Sequence, residues 1–166
     1  VSLVLTGMNK VWLLVVLLLY GKFGAAQTIT ILGSPPTIQM QTASDIQNGK
    51  STTHTSIRIG YPLLNLSGLS LDVFARAEFA ILSSTGSGTI PANKIALSVT
   101  NLSGADPEIL LTTTNQRILH QTPGLLTALL GGTADVSLKY RVLGGSHLLV
   151  PAAIYTVRIF YTVSMD

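Results

Sequence analysis

The chain contains no cysteine. It therefore has no disulfide staple, no thiolate to hold a metal and no cysteine for lipid attachment. Charge is also scarce, with Asp, Glu, Lys and Arg making up 10% of the residues. No basic cluster occurs, so neither nucleic acid nor an anionic membrane surface finds much to bind. There is no long helical periodicity, no alternation of strand and helix, and no internal repeat. Those absences argue against bundles, parallel α/β sheets and solenoids.

One unbroken apolar run is present, Val11 to Tyr20. Lys10 precedes it and the small residues Gly24-Ala25-Ala26 follow. A basic flank, a short apolar centre and a small-residue exit are the parts of a secretory signal, with cleavage expected after Ala26. The run is short for a membrane span, which needs about 20 apolar residues. Lys22 interrupts the exit region and leaves an uncleaved anchor as the competing reading. Val1 to Gly7 precedes Met8 and reads as an over-extended start. The chain is thus divided into a signal helix over 1–26 and one domain over 27–166. Loss of Lys10 and Lys22 leaves eight basic residues against seven acidic ones, so the mature chain is nearly neutral. An exported domain of this size without disulfides relies on its core alone, which suits a bacterial origin.

What remains alternates. From Tyr155 to Val163 the odd positions Tyr155, Val157, Ile159, Tyr161 and Val163 form an apolar stripe; Thr156, Arg158, Phe160 and Thr162 oppose it. Successive strand side chains point to opposite faces, and β-branched and aromatic residues suit a pleated surface. Pro151 lacks a donor and is placed ahead of that strand. Further strands are expected at Thr28–Leu32, Ile38–Gln41, Ser51–Ile59, Leu69–Ala77, Ile95–Val99, Ile109–Leu111, Arg117–His120 and Asp135–Val142. Ser51–Ile59 is polar enough to be an edge or to be exposed on one side. Asp45–Lys50 reads as a tight turn through Asn48-Gly49. Pro123–Gly132 reads as a helical turn or an apolar plug. Short strands at even spacing with turn signals between them predict an all-β fold, an antiparallel β-sandwich. A small outer-membrane barrel is the rival, and mid-strand Asp72, Arg76, Lys139, Arg141 and Arg158 oppose it.

No familiar catalytic motif emerges. His54, His120 and His147 form no paired metal-ligand unit, so no metal site is assigned. Asp72 and Glu78 are a carboxylate pair only if the fold brings them together. No nucleophile elbow is present, and Gly131-Gly132-Thr133 lacks the lysine of a phosphate loop. Asn65-Leu66-Ser67 and Asn101-Leu102-Ser103 match a glycosylation acceptor, a pattern that arises by chance. Tyr61, Phe74 and Phe160 offer either a sugar-stacking platform or ordinary packing. No catalytic residue and no cofactor are assigned.

The segment Leu149-x-Pro151-x-x-x-Tyr155-x-Val157-x-Ile159 resembles the tyrosine corner of immunoglobulin-like sandwiches, entering the last strand rather than the penultimate one. The ending from Pro151 to Val157 is similar to the closing strand of bacterial pilin-like and spore-coat-U-like surface modules, with Ala153 where those have glycine. The resemblance implies an immunoglobulin-like fold with a structural corner at Leu149, Pro151 and Tyr155. It also implies a non-catalytic fimbrial or adhesin-like role in the periplasm, on the outer surface or outside a bacterium. Partners would be other copies or other surface subunits, with Thr28, Ile29, Thr30, Ile31 and Leu32 as an assembly strand if it does not pack on its own sheet. The competing function is a carbohydrate- or ligand-binding sandwich. The signal reading predicts that protein recovered from an exporting host begins at Gln27, as intact mass or N-terminal sequencing would show.

Overall fold

The computed structural model describes residues 28–61, 70–86, 88–122 and 131–165. The signal helix, Asn65-Leu66-Ser67, Leu69 and the stretch 123–130 lie outside these residues. Every strand pair described is antiparallel, and the chain is all-β in character. It begins with β1 (Thr28–Ile31), a helical turn α1 (Ala43–Asn48) and the long β2 (Gly49–Tyr61). β3 (Leu71–Ala77), β4 (Ile81–Ser83), β5 (Thr89–Ile90), β6 (Ile95–Val99) and β7 (Ile109–Leu110) follow. The chain continues through β8 (Gln116–Gln121), β9 (Gly132–Leu143), β10 (Tyr155–Thr156) and β11 (Ile159–Met165). A five-stranded sheet has the order β1-β2-β9-β6-β7; two three-stranded sheets have the orders β11-β3-β8 and β10-β4-β5.

The alternation in the sequence explains how these sheets meet. Leu71, Val73, Ala75 and Ala77 of β3 are buried, while Asp72, Phe74 and Arg76 between them are only half-buried. Val136, Leu138 and Tyr140 of β9 repeat the pattern. Ile57, Ile59, Leu97, Val136 and Leu138 of the five-stranded sheet share one hydrophobic cluster with Leu71, Val73 and Leu119 of β3 and β8. Removing such side chains from water is the main force holding the sheets together.

β2 is not an edge strand. It lies between β1 and β9, and its long pairing with β9 runs from Gly49↔Leu143 to Tyr61↔Gly132. A bulge between Thr55 and Ile57 resets the alternation. Ser56 and Ile57 are consecutive yet both buried, and Thr52 and His54 ahead of them are half-buried. One extra residue thus lets a polar half-strand and an apolar half-strand face the same core.

Three other expectations change. Ile38–Gln41 is not a strand. Asp45–Lys50 is not a tight hairpin, because Ala43–Asn48 is helical and Gly49, at φ 76°, ends that turn. Thr42 Oγ1 accepts from the Asp45 amide at 3.0 Å, and Asp45 accepts from the Thr42 amide at 3.1 Å, a reciprocal cap that favours the helical turn. The closing stretch Tyr155–Val163 is not one strand. β10 pairs with β4 and β11 with β3, with Val157-Arg158 between them. The break matches the Glu78–Ala80 interruption between β3 and β4, and the Glu78 amide bonds the Arg158 carbonyl there at 2.9 Å.

Gly104 shows where backbone freedom matters. Its φ is +80°, and an added Cβ would collide with the His120 carbonyl oxygen. Gly86, at φ +73°, has nothing within 4 Å of that position. Gly86→Ala should cost about 1 kcal/mol from backbone strain alone. Gly104→Ala should cost at least about 2 kcal/mol more, because the ladder must also move. Urea melts of the two variants would measure the difference.

Candidate functional site

Between the sheets runs a chain of hydroxyls. Tyr140 donates to Ser56 Oγ at 2.7 Å, and the Tyr161 hydroxyl lies 2.9 Å from that of Tyr140. Ser56 in turn donates to the His54 carbonyl at 3.1 Å, and His54 Nδ1 is 3.3 Å from Ser56 Oγ. With its proton given to a carbonyl, Ser56 is an acceptor for its other neighbours. Burial, with the Tyr140 hydroxyl next to it, pushes the Tyr161 phenol far above its ordinary range. This group is built to stay neutral and to satisfy polar atoms where β2 bulges. Local sequence spacing gave no sign of it, because its members come from β2, β9 and β11.

The remaining histidines are apart. His120 Nδ1 lies 2.7 Å from Asp72 Oδ1, and His147 Nε2 is 2.8 Å from the Leu143 carbonyl. Among the described residues, no three His, Cys, Asp or Glu side chains are grouped to hold a metal ion. Asp72 and Glu78 stand at opposite ends of β3. Six extended residues span about 20 Å, whereas glycosidase carboxyls stand roughly 5–9.5 Å apart, so these two do not form that pair.

The described carboxylates are engaged in ion pairs. Arg58 and Asp135 face each other across β2 and β9, with 2.6 and 2.9 Å contacts. Arg117 grips Asp106 at 2.8 Å, and Arg158 grips Glu78 at 2.9 Å. Arg141 bonds Glu108 through Nε at 3.1 Å. Asn101 serves the backbone: its amide donates to the Asp135 carbonyl and accepts from the Ser137 amide, each at 2.8 Å.

The Tyr155 hydroxyl donates to the Pro151 carbonyl at 2.9 Å, four residues upstream. Leu149 is exposed, at 73%. Gly88 leaves room for the tyrosine, since a Cβ there would fall 2.8 Å from the Tyr155 hydroxyl. Thr28–Ile31 pairs with β2 of its own chain, from Thr28↔Gly60 to Ile31↔Ile57. That is the arrangement under which donation of this strand to a neighbour does not apply. Leu32 continues the pairing through its amide to the Ser56 carbonyl.

The strand edges differ in how they are protected. β1 and β11 each end a sheet, and neither carries a charge or a proline. β8, also an edge, carries Arg117 and His120. Ile29 and Ile31 sit opposite Ile59 and Ile57, on the core side of their sheet, yet are 38% and 65% exposed. Tyr140 of β9 meets Tyr161 of β11, the strand that ends the narrower sheet.

Of the aromatics considered as a platform, Tyr61 is separate: its hydroxyl donates to Gln121 Oε1 at 3.2 Å. Phe74 and Phe160 share the outer face of β3 and β11, where Phe160 pairs with Arg76 and Phe74 with Thr162. The Arg76 guanidinium lies 4.6 Å from the Phe160 ring centroid. No family model matches the chain, and no curated protein matches it.

Backbone hydrogen bonds and ion pairs together set the acid limb of stability. The Gln41 amide holds Asp45 below the ordinary carboxylate range; Arg141 does so for Glu108 and Arg58 for Asp135. A folded pKa below the unfolded one stabilises fully above the unfolded value, about 4, and the gain is lost as pH falls through the folded value. Melting temperature should therefore hold steady down to about pH 5 and fall below about pH 4. Asp135→Asn should flatten part of that fall, by a small amount because the pair is exposed.

Proposed function

We propose that this protein is a non-catalytic structural subunit of a bacterial surface, fimbrial or adhesin-like, exported by its N-terminal signal. Its fold is read as an immunoglobulin-like β-sandwich, with Tyr155 as the corner residue. The observation that carries the reading is a pair of exposed isoleucines: Ile29 and Ile31 stand opposite the buried Ile59 and Ile57 yet remain exposed. In this reading the five-stranded sheet extends past β11. β11 has no second neighbour among the described residues.

An open edge beside uncovered apolar side chains suits strand addition. A strand from a second subunit would pair with β11 and lay its side chains over Ile29 and Ile31. β1 stays on β2 in this arrangement and forms the floor of the junction. The ion-paired carboxylates and the hydroxyl chain support a structural role, since these polar groups already serve the fold.

Light scattering of Gln27–Asp166 across a concentration series tests the proposal. Association should rise with concentration in the parent chain. Ile31→Lys should remain monomeric with an unchanged melting temperature, because that side chain is 65% exposed in the single chain. A parent chain that stays monomeric throughout, or a variant that associates equally well, would refute assembly through this edge.

A further inference from the structure

Arg76 stands apart from the other arginines. Arg58, Arg117, Arg141 and Arg158 each bind a carboxylate. Arg76 has none among the described residues, and rests on Phe160 instead. The carboxylates flanking it along the chain are taken: Asp72 by His120 and, at 3.7 Å, by Arg117; Glu78 by Arg158. The result is a guanidinium in the middle of a sheet with no carboxylate partner among the described residues.

A guanidinium lying over a ring keeps its N–H edge free, and that edge matches a carboxylate in two parallel hydrogen bonds. Stacking on Phe160 also restrains the side chain, which lowers the entropy lost on binding. Phe74 follows on the same face beside Thr162, and Asp72 with His120 lies beyond it. Asp72 to Arg76 spans about 13 Å of strand, room for more than one sugar ring. The face thus offers a cation, an aromatic surface and a hydroxyl in one row.

We infer that this face binds a saccharide bearing a carboxylate, such as a uronic-acid polymer. Arg76 takes the carboxylate, Phe74 receives a sugar ring, and Thr162 meets a hydroxyl. A peptide strand is the poorer fit: the backbone of β3 is already paired on both sides by β11 and β8, so no edge is open to it there. The inference is independent of the assembly edge, which lies on β11's other side.

Calorimetric titration of the full chain with oligogalacturonate, against neutral galactan oligomers of equal length, tests it. Oligogalacturonate should bind and the neutral oligomer should bind at least roughly tenfold more weakly. Arg76→Gln should weaken acid-sugar binding by roughly tenfold or more, while Arg58→Gln on the other sheet leaves it unchanged. If Arg76→Gln fails to fold, Arg76→Lys keeps the charge, loses the planar fork and should still bind more weakly. Absence of binding by the parent chain, equal binding of the neutral oligomer, or binding undiminished in a folded Arg76 variant overturns the proposal. Equal binding of an oligoglutamate peptide overturns its sugar specificity.

Discussion

The pairing of β2 with β9 is the constraint on which the rest depends. It places Ile57 and Ile59 beside Val136 and Leu138 in the core, and its other flanks receive β1 and β6. The bulge at Ser56 allows that pairing to serve two different half-strands. It also buries a hydroxyl, and an unpaired buried polar group is costly. Tyr140 and Tyr161 remove that cost by bonding across the core. No buried side-chain nitrogen or oxygen among the described residues lacks a partner.

This arrangement separates two kinds of surface. Where strands face solvent, several charges are matched, as with Arg58 and Asp135. Such exposed pairs add little stability, but they make a sheet face indifferent to other charges. Arg76 has no carboxylate partner among the described residues, and its guanidinium stacks on Phe160 instead. The edges follow a similar division: β8 bears charges, while β1 and β11 do not. The edge of β11 and the stacked guanidinium of Arg76 are features that the packing of the described residues leaves unused.

Most strands were legible because a half-buried strand alternates. β3, β6 and β9 stand close to their expected places, and burial alternates along β3 and through the middle of β9. The errors have physical causes. The reciprocal cap of Thr42 and Asp45 converts an expected hairpin turn into a helical one. The closing stretch alternates smoothly, yet it must follow the interruption between its partners β3 and β4. An alternating pattern reports which side is apolar; it carries no record of where the neighbouring strand bends.

The candidate sites were less legible for the same reason. Phe74 and Phe160 were visible as aromatics on polar strand sides, but their relation to Arg76 depends on the register between β3 and β11. The amino-acid sequence by itself determined the all-β character, the sides that bury and the lack of cysteine chemistry, since each follows from residue type and local spacing. Only the tertiary structure decided which arginine lacks a carboxylate, which edges stay open and how Ser56 is satisfied. Those depend on contacts between residues distant in the chain, as from Ser56 to Tyr140 and from Arg76 to Phe160.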